Sequence, residues 1–244
     1  MLFRSGVSIT LSAPNSSNGF YGNRILVLNN YLKHGFQNWG NDHAPEINIS
    51  SVERISVIKG SSGVRFGPEA LGGAIIVEPD PMKLRQPYYL NINSGYQSNG
   101  RGNNFSIKTG NGYKNLGFNL GVNYMKIGDR HTPSYSLTNS GKEEKAFNFG
   151  LHYHLKNFDI KLYYNYVDLD LALLRSSIFH SGNSISKALS SDVPLFIRPF
   201  SYDINEPNQV VKHHLAKASI NWWYKENEKV SLIIGRQLNK RKEF

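Results

Sequence analysis

Residues 52–79 read VERISVIKGSSGVRFGPEALGGAIIVEP, and this stretch decides the fold. Ile55, Val57 and Ile58 mark one β-strand, and Ala74–Val77 marks a second that is fully apolar. Between them, glycines at 60, 63, 67, 72 and 73 permit positive φ and close backbone approach. The stretch has neither the Lys-Ser/Thr ending of a phosphate loop nor a G-x-G-x-x-G signature. It predicts two strands joined by a tight turn, with Gly60, Gly67, Gly72 and Gly73 as the turn residues. At Gly72 and Gly73, just before the apolar strand, a side chain would collide with neighbouring backbone or demand a conformation it resists.

Downstream, Pro79, Pro81 and Pro87 bracket a basic linker (MKLRQ), and from Tyr88 the sequence turns to period-2 alternation. In 115–127, Leu116, Phe118, Leu120, Val122 and Tyr124 share one face, and Gly117, Asn119, Gly121 and Asn123 the other. In 145–155, Phe147, Phe149, Leu151, Tyr153 and Leu155 oppose Asn148, Gly150, His152 and His154. In 157–168, Phe158, Ile160, Leu162, Tyr164 and Tyr166 oppose Asp159, Lys161, Tyr163 and Asn165. Weaker alternation marks 88–97, 103–110, 214–224 and 229–239. Seven strands are expected, five of them long enough for the roughly 9–11 residues that cross a bilayer. The connections alternate too, with tight turns set against long segments at 128–142 and 169–208. That is the pattern of an outer-membrane barrel, and a soluble sandwich rarely carries so long a loop between meander strands. Leu120 and Phe149 are then expected to face lipid, and Asn119 and Asn148 the interior.

Composition narrows the function. The longest apolar runs, Ile25–Leu28, Ala74–Val77 and Leu171–Leu174, fall far short of the roughly 18 residues of a transmembrane helix. Mean hydropathy is −0.43, yet aromatics reach 12%, which suits the girdles of membrane strands. The net charge of +10 is scattered and comes with no nucleic-acid recognition motif, so no nucleic-acid partner is expected. Without cysteine there is no disulfide, thiolate nucleophile or Cys-ligated metal. No G-x-S-x-G or H-E-x-x-H occurs, and the 18 carboxylates form no recognisable acid/base motif, so no enzyme, cofactor or metal centre is expected. His152 and His154, at i, i+2 on one face, have a spacing that could hold a transition metal, but they read more simply as polar lining. His213 and His214 point to opposite faces and cannot chelate as a pair.

Taken whole, residues 52–79 resemble the end of the plug domain of the TonB-dependent outer-membrane receptors. That family shows V-E-R-I-E-V-x-K-G-P, then small residues ending in Y-G, then A-x-G-G-V-I-N-I. Val52, Glu53, Arg54, Ile55, Val57, Lys59, Gly60, Gly67, Ala70, Gly72, Gly73 and Ile75 match it; Ser61, Phe66 and Ala74 depart conservatively. Upstream, Gly22–Asn30 (GNRILVLNN) resembles a plug strand, and Gln37–Ile49 (QNWGNDHAPEINI) resembles the version found in iron-complex receptors of Bacteroidetes type. Downstream, Arg198–Gln209 and Val211–Lys217 resemble barrel segments of the same subgroup.

The resemblance implies a mainly β protein: an α+β plug over 1–80, a linker at 81–87, and antiparallel transmembrane barrel strands over 88–244. It implies uptake of an iron complex (siderophore or haem) at the Gram-negative outer membrane, with the TonB protein, lipid and lipopolysaccharide as partners. The alternative is a non-transporting surface β-protein, either an adhesin or a carbohydrate-binding module. In the family, Arg54 and Lys59 would meet carboxylates of the barrel wall, and Trp39, Asp42, His43 and His180 are candidates to face the ligand. Met1–Thr10 has no apolar signal region, no TonB box is present, and about seven of the family's ~22 strands are accounted for. A fragment lacking its signal peptide is the expectation.

Overall fold

The computed structural model describes residues 25–35, 46–177 and 182–244. They fall into two compact units, one reaching Ile47 and including Val52–Asp80, the other comprising Asn48–Ser51 and Pro81–Phe244.

The first unit is built on strands β1 (Ile25–Asn29), β2 (Leu32–Lys33), β3 (Val52–Ile58) and β4 (Gly73–Pro79), in the order β2-β1-β4-β3. β1 and β4 run parallel, in register from Ile25↔Gly73 to Asn29↔Val77. Parallel strands buried on both faces read as continuous apolar runs, which is why neither ILVL nor AIIV alternates. Leu26, Leu28, Ala74 and Ile76 pack with Ala70 on one side. Ile25, Val27, Ile75 and Val77 pack on the other, against Ile47, Val52 and Ile55. β1 turns into β2 through Asn30 (φ 50) and Tyr31 (φ 61), both left-handed, as the tightest hairpins require.

The second unit is a seven-stranded antiparallel meander. Its strands are β5 (Gln86–Gln97), β6 (Gly102–Tyr113), β7 (Leu116–Ile127), β10 (Lys142–Leu155), β11 (Phe158–Ala172), β12 (Asn208–Lys225) and β13 (Glu228–Glu243). The sheet order is β13-β12-β11-β10-β7-β6-β5. The number of strands is the one expected. The shortest has 12 residues, so all seven, not five, exceed the length that crosses a bilayer. Alternation fades towards strand ends, where charged residues replace apolar ones, so the sequence understates strand length.

Connections at one end are the pairs Lys114–Asn115, Lys156–Asn157 and Glu226–Asn227; at the other they are 98–101, 128–141 and 173–207. Lys114 and Lys156 hold φ of 50 and 47. The segment 128–141 carries the small hairpin β8 (Arg130–His131) and β9 (Ser136–Leu137), and 173–207 carries helix α1 (Gly182–Leu189). Among the described residues no helix is long and apolar enough to cross a membrane, which says nothing of strands.

The faces of the meander are inverted relative to a soluble protein. On β7 the apolar side is open, with Leu116 44% and Val122 45% exposed, while Asn119 and Asn123 are 4% and 2% exposed. The buried side is tight because Asn and Gly pair across strands. Asn119 lies opposite Gly150 and Asn148 opposite Gly121. A Cβ on Gly150 would come 2.5 Å from the Asn119 Oδ1, and one on Gly121 would meet the Asn148 amide. Each asparagine therefore folds over the glycine facing it.

Candidate functional site

The glycine-rich segment between β3 and β4 forms two 3-10 turns, Gly60–Phe66 and Pro68–Ala70. Gly60, Gly67 and Gly73 take φ of +65, +108 and +129, conformations that side chains resist. At Gly73 there is no space either, since a Cβ would press on the Ile58 carbonyl at the end of β3. Gly72 is buried in the turn beside it. Gly63, which was not among the four expected turn residues, is also tight: a Cβ there would sit 2.8 Å from the Ala70 carbonyl oxygen.

Arg54 extends from β3 to β4, where its Nε donates to the Glu78 Oε2 at 2.5 Å. The Tyr31 hydroxyl donates to the other oxygen at 2.7 Å. The Arg54 hydrogen bond, reinforced by that of Tyr31 against a smaller opposing effect of burial, holds the Glu78 carboxyl below its ordinary pKa. The same carboxylate raises the Tyr31 phenol. Lys59 is exposed and extended at the entrance to the turn. Trp39, Asp42, His43 and His180 lie outside the described residues.

In the second unit, linker residues 82–84 lie against the buried face of the meander near its two-residue turns. Gly112 and Gly117 face each other across β6 and β7, and Gly117 faces His152 on β10. A Cβ on Gly112 would strike the Lys83 and Leu84 backbone, and one on Gly117 would lie 2.5 Å from the Lys83 carbonyl oxygen. A Cβ on Gly150 would come 2.7 Å from the Met82 sulfur. Glycines of β6 and β7 thus make a track for the linker backbone, Gly150 of β10 makes room for the Met82 side chain, and the linker is a docked strap.

His152 fixes its start, with Nδ1 3.0 Å from the Met82 carbonyl oxygen and Nε2 3.1 Å from the Asp159 Oδ1. Both neighbours are acceptors, so only a ring carrying both protons makes both bonds together. His154 shares the same Asp159 oxygen at 2.9 Å, and the Trp223 indole donates to the other at 3.3 Å. The two histidines therefore converge on a carboxylate. His213 and His214 separate as expected: His213 is fully buried, while His214 meets the Tyr164 hydroxyl on the open face.

At the long-loop end, residues of 128–141 and 173–207 enclose a cavity of about 560 Å³. Asn139, at φ 60, holds its rim: its amide donates to the carbonyls of Leu173, Asn205 and Pro207 at 2.8–2.9 Å. The Asn139 Oδ1 accepts from the Asn205 backbone. Thr138 positions two arginines, its carbonyl accepting from the Arg175 N–H and its hydroxyl from the Arg198 N–H.

Residues 6–74 match the family model of the TonB-dependent Receptor Plug Domain. No curated protein matches the chain. Among solved structures, the chain is similar to the siderophore receptor PirA from Acinetobacter baumannii, at 12% identity and a TM-score of 0.65, over 92% of this chain and 33% of that one. It is similar to the copper transporter OprC at 15% identity and 0.65, over 90% and 30%. The FrpB iron transporter from Neisseria meningitidis follows at 14% and 0.66, over 90% and 34%. At these identities the likeness is one of fold, and the chain spans about a third of the length of these proteins. The plug-domain match over 6–74 is thus continued by an antiparallel strand meander with its apolar face outward, and over both parts the chain is similar in fold to TonB-dependent receptors.

Proposed function

We propose that this chain belongs to an energised importer of the Gram-negative outer membrane that takes up an iron complex, a siderophore or haem. The observation that carries the reading is the inverted meander, whose Leu, Phe, Val and Tyr face is open while its Asn and Gly face is buried. In water that arrangement leaves the apolar surface unpaid for; against lipid it is the stable one. It argues equally against an adhesin or carbohydrate-binding sandwich, which would bury its apolar face. Two of the fold neighbours are named for siderophore or iron, and one for copper, so fold alone does not choose the cargo.

On this reading residues 1–80 form the plug, 81–87 the linker and 88–244 barrel strands. The outward face meets lipid and lipopolysaccharide, and the TonB protein draws on the plug. Lys59 and Arg54 meet wall carboxylates, Arg54 while also bonded to Glu78. Trp39, Asp42, His43 and His180 face the ligand. No covalent chemistry is required of any residue.

The test is accumulation of 55Fe-labelled siderophores and haem by cells producing the protein. Uptake should need both an intact proton-motive force and TonB. Gly73→Val should abolish it while the protein still reaches the outer membrane. Uptake that survives loss of TonB, or is unchanged in Gly73→Val, would overturn the importer reading.

A further inference from the structure

Two of the two-residue turns begin with a lysine in a left-handed conformation, Lys114 at φ 50 and Lys156 at φ 47. Glycine or asparagine takes that conformation at least cost, and an asparagine stands next in each turn, at Asn115 and Asn157. Lysine brings no advantage to the backbone there; what it adds is charge at the tip of a hairpin. Arg85, just before β5, lines an open cleft with Tyr113 and Lys114 and adds a third cation. All three are exposed, and none of them makes a salt bridge among the described residues. The nearest acid on these strands, Asp159, lies on the opposite face and is held by His152, His154 and Trp223. The third turn differs: Glu226 begins it, and Lys225 is paired with Glu228 at 3.2 Å. Uncompensated positive charge therefore gathers at the short-turn end from β5 to β11 and stops at β12.

The open face is aromatic just inside this charge. Tyr113, Leu116 and Tyr153 lie in one row across β6, β7 and β10. Phe158, beside the Lys156 turn, stacks on Trp222 with ring centres 6.1 Å apart. All five side chains are exposed. The Lys114 Nζ lies 5.1 Å from the centre of the Tyr113 ring, so ring and cation form one unit. Tyr and Trp rings favour the depth of lipid headgroups, and basic groups just beyond them reach the phosphates. We propose that the short-turn end of β5–β11 is a docking rim for anionic phospholipid headgroups, with Arg85, Lys114 and Lys156 meeting phosphodiesters whose charge no headgroup cation offsets. The proposal rests on the importer reading, which puts the two-residue turns in the periplasmic leaflet, and deepens it by naming the lipid class selected there.

The test compares spin-labelled phosphatidylglycerol with spin-labelled phosphatidylcholine, each at trace level, in phosphatidylcholine vesicles holding the protein. Electron paramagnetic resonance reads the fraction of each lipid immobilised on the protein. Phosphatidylglycerol should be preferred about threefold, within the roughly fivefold that one basic residue supplies at an anionic surface. Arg85→Gln, Lys114→Gln and Lys156→Gln should each reduce the preference, and the triple variant should abolish it. Glu226→Lys, which extends the row of cations, should raise it. Lys187→Gln, which removes the same charge from helix α1, should leave it unchanged. Glycerol phosphate in the buffer should weaken the preference no more than sodium chloride of equal ionic strength. Folding of each variant is checked by heat-modifiable migration. Equal immobilisation of the two lipids, a preference indifferent to the triple substitution, or specific competition by glycerol phosphate, the mark of a free-phosphate site, would each overturn the rim. If TonB-dependent uptake persists while the two lipids are immobilised equally, the rim falls alone. If energised uptake is absent while the preference depends on the three cations, the importer reading falls and the rim stands.

Discussion

Gly73 combines two demands that only a glycine satisfies, a φ of +129 and a Cβ position occupied by the Ile58 carbonyl. Gly60 makes only the first, since its φ is +65 with nothing within 4 Å. Gly60→Ala should therefore cost the plug about 1–2 kcal/mol, the left-handed penalty alone. Gly73→Ala should cost more, because β3 must also shift away from β4. Urea-dependent proteolysis of the plug in membranes measures both, and equal costs would contradict this geometry. At Glu78 the expectation is one of pH. Its carboxyl is held low by Arg54 and Tyr31, so the charged form is favoured by folding. That stabilisation is complete above the ordinary glutamate pKa of about 4.3 and is lost as pH falls through the lower folded value. Wild type should lose protease resistance in acid faster than Glu78→Gln, in which this contribution is absent at every pH.

Among the elements, β7 and β10 carry the sharpest test of which side meets lipid. Leu120→Lys or Phe149→Lys, on the open face, should cost about 2–4 kcal/mol of membrane insertion if the site lies near mid-bilayer. Lys161→Leu, on the same face as His152, should cost less, because substitutions on the polar side leave the lipid boundary intact. Folding yield into vesicles reports the difference. The strap makes a different prediction. Lys83 and Arg85 are exposed, yet trypsin must pull a segment out of its groove to cut there, and the docked backbone resists this. Gly112→Ala or Gly117→Ala displaces that backbone and should speed cleavage after Lys83 several-fold, read by mass spectrometry of the fragments. Unchanged cleavage would mean the track does not hold the strap.

At the scale of the whole molecule, the sequence revealed what is periodic and local. Alternation at Leu116–Tyr124 and Phe147–Leu155 gave the number of strands and the side each residue takes, and the glycines of 60–73 located the turn. What it hid depends on register. Gly112 and Gly117 flank one tight turn, but Gly150 belongs to a later hairpin and meets the same linker only when β7 and β10 are aligned. The Asn139 hub is likewise invisible, because its partners at 173, 205 and 207 arrive from another loop. For Arg54 the family resemblance implies a carboxylate of the barrel wall; its bond to Glu78 follows from the antiparallel pairing Arg54↔Glu78, which no local pattern announces. Strand length was underestimated for the same reason that charge collects at strand ends: residues beyond the lipid boundary no longer need to alternate.

The meander has one further property, a valence. Within it β6, β7, β10, β11 and β12 have a neighbour on each side, while β5 and β13 end the order. Each of these two outer strands, of 12 and 16 residues, leaves roughly half its N–H and C=O groups pointing away from the sheet. In hydrocarbon each such group costs several kcal/mol, so two bare borders would cost tens. The sheet is therefore divalent: it settles in a bilayer only when another strand fills the socket at each border. The incoming strands are constrained in phase as well as in length. Their outward residues must continue the rows of Tyr88, Leu90 and Ile92 on one side and Val230, Leu232 and Ile234 on the other, all of them exposed. A partner slipped by a single residue would turn its polar row to the lipid.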